Sequence, residues 1–240
     1  EIHMYLGGDT VEGEEIFAHQ AHEIDSSVFE QSVKAGADMI TEAILVLLEN
    51  FKRVKVIGVP GNHGRNGKYG NNGHPETNWD TVCYSVVRRN LLGSSVYPRT
   101  ELVGRLDFPD KFDWYYVDRV YNWGNLVVHG DQIMGGGGGF PIASISRRAM
   151  GWIDSIKENW DNLYLGHFHT YASFVLNHRM ILANGTTESD NDYAKRNLSA
   201  TGWPCQRLCF FNDKHGLISD NQIYLGDSES HLPTKLRVAR

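Results

Sequence analysis

The chain predicts an α/β fold, and three observations carry that expectation. Ile2–Leu6 is a short apolar strand that runs into the turn Gly7-Gly8-Asp9. Ile40, Ile44, Leu47, Leu48 and Phe51 recur at three- and four-residue spacing, the signature of a helix with one apolar face. Val54, Val56, Ile57 and Val59 then form a second strand, broken at Pro60-Gly61. Strand, helix, strand is a βαβ unit, and its two strands are expected to be parallel neighbours.

The remaining elements follow from the same signals. Gly64–Gly73 reads as a glycine- and asparagine-rich loop, and a helix is predicted from about Glu76 to Leu92. Trp114–Val120 and Asn125–His129 read as a hairpin around Asn122-Trp123-Gly124. Five glycines, Gly135–Gly139, precede a helix predicted over Pro141–Trp160, with proline near its first turn. Leu163–Leu165 is a strand ending at Gly166-His167-Phe168-His169. Short strands are predicted near Phe174–Leu176, Met180–Ala183, Leu208–Phe211 and Gln222–Leu225.

Composition narrows the class. The 240 residues suit one domain, and 41% hydrophobic with 22% charged is ordinary for a globular protein. The longest apolar run lies near Ile44–Leu48, far short of the ~20 residues of a membrane span, and no membrane partner is expected. Cys83, Cys205 and Cys209 match no disulfide framework, and no basic, apolar leader opens the chain. A reducing, cytoplasmic setting is expected, in which the glycosylation triplets at Asn184 and Asn197 have no role. The net charge of −6 argues against a broad non-specific nucleic-acid surface.

Four apolar strands end in a glycine or proline turn that carries Asp, Asn or His: Asp9, Asn62-His63, His129, and His167 with His169. Side chains at the carboxyl ends of strands in an α/β sheet converge on one crevice. As donors these residues form a mixed nitrogen and oxygen set with no thiolate. That set suits hydrolytic manganese, iron or zinc better than a redox cluster. The other histidines read as structural or exposed (His3, His178, His215, His231) or as rim residues (His19, His22, His74). Arg65, Lys68 and Tyr69 in the glycine loop offer phosphate-binding cations and a stacking ring, whereas at least one of Arg147 and Arg148 reads as a helix-surface residue.

The segments GGDTVEG (7–13), GNHG (61–64), VVHGD (127–131) and LGHFH (165–169), in this order, resemble the successive signatures of the calcineurin-like metallophosphoesterases. The resemblance implies a two-sheet β sandwich flanked by helices, formed by residues 1–240 as a single domain. It also implies two divalent metal ions, manganese first, with iron, zinc or magnesium as alternatives. Asp9 would bridge the ions; Asn62, His129 and His167 would complete one site, and His169 would serve the other. His63 would be the catalytic histidine, and Arg65 and Lys68 would contact substrate.

Two departures from the family pattern stand out. The opening DxH motif has no room before Gly7, so it is expected upstream of Glu1 together with a first strand. Glu1-Ile2-His3 is no substitute, because it lies on the strand that leads into Asp9. Gly64 stands where many members carry an acidic residue that orients the histidine, and Asp131 is the candidate replacement. The arrangement is closest to DNA-repair-exonuclease-like and phage-type members. It points to a nucleic-acid phosphodiester as substrate, with a small-molecule phosphodiester or phosphomonoester as the alternative. A non-catalytic scaffold of the same fold is the rival from another class.

Overall fold

The computed structural model describes residues 1–14, 16, 20–22, 24–67, 73–93, 100–102, 104–134, 139–187 and 204–226. Lys68, Tyr69, His19, Gly135–Gly138, Asn197 and His231 lie outside the described residues. The chain divides into two compact units: Glu1–Tyr116 with Val127–Asp131, and Val117–Leu126 with Gln132–Arg240.

In the first unit β1 (Ile2–Leu6) pairs in parallel with β2 (Val54–Gly58), in register from Ile2↔Val54 to Leu6↔Gly58. The expected βαβ unit is present, and its two strands end level. A short β3 (Leu106–Asp107) continues the sheet on the far side of β2. Helix α1 (Ala37–Asn50) is entered through a π-helical stretch, Glu30–Gly36. It buries Ile44 and Leu48, with Ile40, Leu47 and Phe51 packed beside them, which is the face that the sequence periodicity marked. Burial of each large aliphatic side chain contributes about 1.5–3 kcal/mol.

Helix α2 spans Trp79–Leu92 and buries Asp80, Tyr84, Val87 and Leu91 along one face. It starts three residues later than the sequence predicts. Pro75–Thr77 forms a separate 3₁₀ turn, and extended Asn78 (φ −81°, ψ 141°) caps α2 by accepting from the Asp80 N–H at 2.8 Å. Tyr84 is fully buried and donates its hydroxyl to the Val59 carbonyl at 3.3 Å. Gly58 permits this, since a Cβ there would stand 2.6 Å from the Tyr84 ring.

A five-stranded sheet orders β4 (Tyr115–Val120), β5 (Trp123–Val128), β6 (Asn162–Leu165), β8 (Arg179–Ala183) and β7 (Ala172–Leu176). β6 runs parallel to β8, and β7 is antiparallel to β8. β9 (Cys205–Asn212) and β10 (Gly216–Tyr224) form a separate antiparallel pair with a bulge between Leu217 and Ser219. The fold is therefore mixed α/β, with two larger sheets and a separate strand pair among the described residues.

Two sequence expectations need correction here. The hairpin turns at Tyr121-Asn122 rather than at Asn122–Gly124, because Tyr121 takes a left-handed conformation (φ 54°) and β5 begins at Trp123. Helix α3 covers Ile142–Ser155 and stops short of Trp160, since Ile156 is extended (φ −87°, ψ 127°). Trp160 is instead buried outside the helix, with the Arg179 guanidinium over its ring at 4.9 Å. Among the described residues no helix is long and apolar enough to cross a membrane.

Candidate metal centre

Because β1 and β2 end level, the turns that follow them, Gly7-Gly8-Asp9 and Pro60-Gly61-Asn62-His63, lie side by side. The approach is close enough to need glycine on both sides. A Cβ at Gly61 would overlap the Asp9 carboxylate, and one at Gly8 would overlap the Gly61 backbone and come within 2.9 Å of His129 Nδ1. Asp9 itself is left-handed (φ 54°), an uncommon conformation for a residue with a side chain. His63 donates its backbone N–H to Asp9 Oδ1 at 2.8 Å, which pins the carboxylate to the second turn.

His129 is 1% exposed. Its Nδ1 lies 2.7 Å from the Gly7 carbonyl, and its Nε2 lies 3.0 Å from both Asn62 Oδ1 and Asp9 Oδ2. One imidazole nitrogen, one amide oxygen and one carboxylate oxygen thus meet at one point inside the first unit. Burial pulls the imidazole pKa down, but the Asp9 charge and hydrogen bond outweigh it and hold it at about 9. Burial would likewise raise the Asp9 carboxyl, yet the His129 charge and hydrogen bond, with His63, hold it below the usual carboxylate range. A positive charge is therefore favoured where these three donors meet. The donor set, one neutral-capable imidazole and two oxygens, fits a divalent ion of the manganese, iron or zinc type.

His63 Nδ1 lies 2.7 Å from the Glu12 carbonyl and 3.7 Å from Glu12 Oε1. The carbonyl fixes the proton on Nδ1 and leaves Nε2 as the working nitrogen. Gln20 holds Glu12 in turn, through its carbonyl at 2.9 Å and its carboxylate at 2.8 Å. The Glu12 carbonyl thus orients His63, which is the work expected of Asp131 in place of an acid at position 64. Asp131 stands by the positive charges of His129 and Arg65, with its carboxyl pushed up by burial. Arg65 is half-buried and lies near Asp131.

In the second unit β6 ends at Leu165, and Gly166-His167-Phe168-His169 turns sharply after it, with the Phe168 N–H on the Gly166 carbonyl at 2.6 Å. Both histidines are left-handed, His167 at φ 62° and His169 at φ 49°. Among the described residues five without a glycine's freedom are left-handed. Tyr121 and Asn177 sit in hairpin turns, and the other three are Asp9, His167 and His169. Strain of this kind concentrates at functional positions. His167 is half-buried and stacks edge-on to Phe168, with ring centroids 5.2 Å apart, whereas His169 is exposed.

The remaining histidines have local roles. His74 accepts from the Glu76 N–H at 3.3 Å and caps the 3₁₀ turn, and His22, His178 and His215 are exposed. His3 is half-buried on β1, 3.5 Å from Glu1. Arg147 and Arg148 are exposed on α3, as expected, and the three cysteines are free thiols.

Sequence reasoning missed Asp80, whose carboxylate accepts from three backbone N–H groups. Oδ1 takes Thr10 at 2.8 Å, and Oδ2 takes Asp9 at 3.0 Å and Gly61 at 2.7 Å. Asn-x-Asp at a helix start reads as ordinary capping chemistry, so nothing in the sequence separates this residue from a cap.

No family model matches the chain, and neither does any curated protein sequence. Among solved structures it is similar to a Vps29 single mutant from Entamoeba histolytica, with 12% identity over 93% of this chain and 99% of that one, at a TM-score of 0.40. An archaeal phosphodiesterase is 9% identical over 81% of this chain and 96% of its own, at a TM-score of 0.38. A conserved uncharacterised protein from Streptococcus pneumoniae, described as a predicted phosphoesterase, is 11% identical over 60% and 91%, at a TM-score of 0.30.

Proposed function

We propose that this chain is a metal-dependent phosphoesterase that hydrolyses a phosphodiester, with nucleic acid as the substrate class. The observation that carries the reading is His129 Nε2, buried and held 3.0 Å from both the Asp9 carboxylate and the Asn62 amide oxygen. Three unlike donors from three separate turns meet there, and the turns are those that the metallophosphoesterase resemblance singles out. The resemblance also assigns His167 and His169 as ligands, and their left-handed turn supports a role beyond turn chemistry. Divalent ions bound by this donor set would lower the pKa of a water molecule and stabilise phosphoryl oxygens.

The protein's own residues divide the remaining work. Asp9 and Asn62 supply oxygens, and His129 supplies a nitrogen whose direction the Gly7 carbonyl sets. His63, with Nδ1 held on the Glu12 carbonyl, presents Nε2 to the scissile phosphate. There its imidazolium form, with a proton on each ring nitrogen, donates a hydrogen bond from Nε2 to a phosphoryl oxygen or the Nε2 proton to the departing alkoxide. Arg65 and Lys68 supply positive charge for the phosphates flanking the cleaved bond.

The test uses the intact protein with Mn(II). Hydrolysis of bis(p-nitrophenyl) phosphate and of single- and double-stranded DNA is expected, with p-nitrophenyl phosphate a poorer substrate. Cleavage of the monoester alone would remove the nucleic-acid reading. No metal uptake under metal-replete conditions would remove the enzyme and leave the scaffold.

A further inference from the structure

We propose that Asp80 and Asn78 are positioning residues for the metal-binding turns, acting from the start of α2 on the backbone around Asp9 and Asn62. This inference deepens the phosphoesterase reading and rests on it. Asp80 is 0% exposed and ties Thr10, Asp9 and Gly61 to one carboxylate. Asn78 donates its side-chain amide to the Gly61 carbonyl at 2.7 Å. The Gly61 residue is therefore held at its N–H by Asp80 and at its carbonyl by Asn78, directly before ligand Asn62 and catalytic His63. Asp9 is held at its N–H by Asp80 and at its carboxylate by the His63 N–H.

The placement also accounts for Gly64. A Cβ at position 64 would overlap Asn78 Oδ1 and stand 3.1 Å from the Asp80 carboxyl carbon. The space that a side chain at position 64 would fill is therefore taken by the start of α2. The helix N-terminus and the three N–H donors offset part of the cost of burying the Asp80 carboxylate. Groups that only orient ligands set metal affinity by about 10–100-fold without touching the ion.

The experiment measures Mn(II) affinity by calorimetric titration of the full chain, alongside circular dichroism, melting temperature and hydrolysis at limiting and saturating Mn(II). The proteins are wild type, Asp80→Asn, Asn78→Ala and Ser32→Ala. The last loses the Ser32 hydroxyl bond to the Trp79 carbonyl, which supports the same helix start without reaching the ligand turns. Asp80→Asn is expected to weaken Mn(II) binding by about tenfold or more. Asn78→Ala should weaken it severalfold. In both, turnover should recover at saturating Mn(II). Ser32→Ala should lower the melting temperature and leave Mn(II) affinity at the wild-type value. Should Asp80→Asn fail to fold, Asn78→Ala decides. Folded variants that bind Mn(II) like wild type overturn the positioning role alone. A wild-type protein that takes up no metal overturns the phosphoesterase reading beneath it.

Discussion

Gly7 orients His129 across 122 residues of chain, its carbonyl 2.7 Å from Nδ1. The bond fixes which ring nitrogen faces Asp9 and Asn62, and it does so with backbone, so no substitution at position 7 removes it. The ring itself can be removed. His129→Ala deletes the nitrogen donor and leaves the Asp9 carboxylate without its nearest cation. Mn(II) affinity should fall by more than the roughly 100-fold that the outermost orienting groups are worth. Calorimetric titration of wild type and variant checks this, and equal affinities would take His129 out of the centre.

Close backbone approach gives a second prediction. Gly61 leaves no room for a methyl group, because Asp9 fills the space where it would go. Gly61→Ala must push the two turns apart or rotate the Asp9 carboxylate. Overpacking of this kind costs about 1–3 kcal/mol of stability. The metal effect should be disproportionate, since the displaced atoms are the proposed ligands. A urea midpoint and a Mn(II) titration on the same sample separate the two. A variant that loses stability but keeps full metal affinity would show that the turn spacing is structural only.

His63 and Glu12 allow a sharper test of which group does the orienting. The Glu12 carbonyl is 2.7 Å from His63 Nδ1, whereas its carboxylate oxygen is 3.7 Å away and half-exposed. Glu12→Gln keeps the carbonyl, so kcat should drop by less than about threefold, in line with the small worth of exposed ion pairs. His63→Ala should lower kcat by about 10²–10⁴-fold, the usual contribution of a positioned acid or base, with metal content unchanged. A large loss in Glu12→Gln would move the orienting role to the carboxylate.

What the sequence made legible divides along a physical line. The βαβ unit could be read because α1 buries one face and so carries a helical apolar period, while β1 and β2 are short apolar runs that stop at turn residues. The four turns could be located because apolar runs that stop at glycine or proline mark strand ends, where Asp and Asn also supply ordinary turn chemistry. The helix starts were less legible, since Asn78 and Pro75 compete as boundary signals and only packing decides between them. Asp80 was hidden for a different reason. Its three bonds run to backbone 19 to 71 residues away, and backbone partners leave no trace in the sequence. Glu12 was hidden likewise, because it acts on His63 mainly through its carbonyl.

Cys83 yields a prediction independent of metal. It is fully buried on α2, and burial, with the Asp80 charge behind it, pushes its thiol up to about 12. In the unfolded chain the thiol has its ordinary value of 9.0. The folded form therefore keeps its proton over a range where the unfolded form loses it. Below about pH 9 both forms are protonated and the thiol has no effect on stability. From there towards pH 12 the unfolded state gains, and stability falls by up to about 1.4 kcal/mol per pH unit from this group. Urea unfolding of wild type and Cys83→Ala at pH 8, 9.5 and 10.5 isolates the effect, because other titrating groups are common to both proteins. The variant should start less stable, having lost a packed sulfur, and then decline less steeply with pH. In the native protein at pH 8, iodoacetamide should leave Cys83 unlabelled until urea is added. Parallel stability curves, or rapid labelling of the folded protein, would show that the thiol is more accessible than its burial on α2 implies.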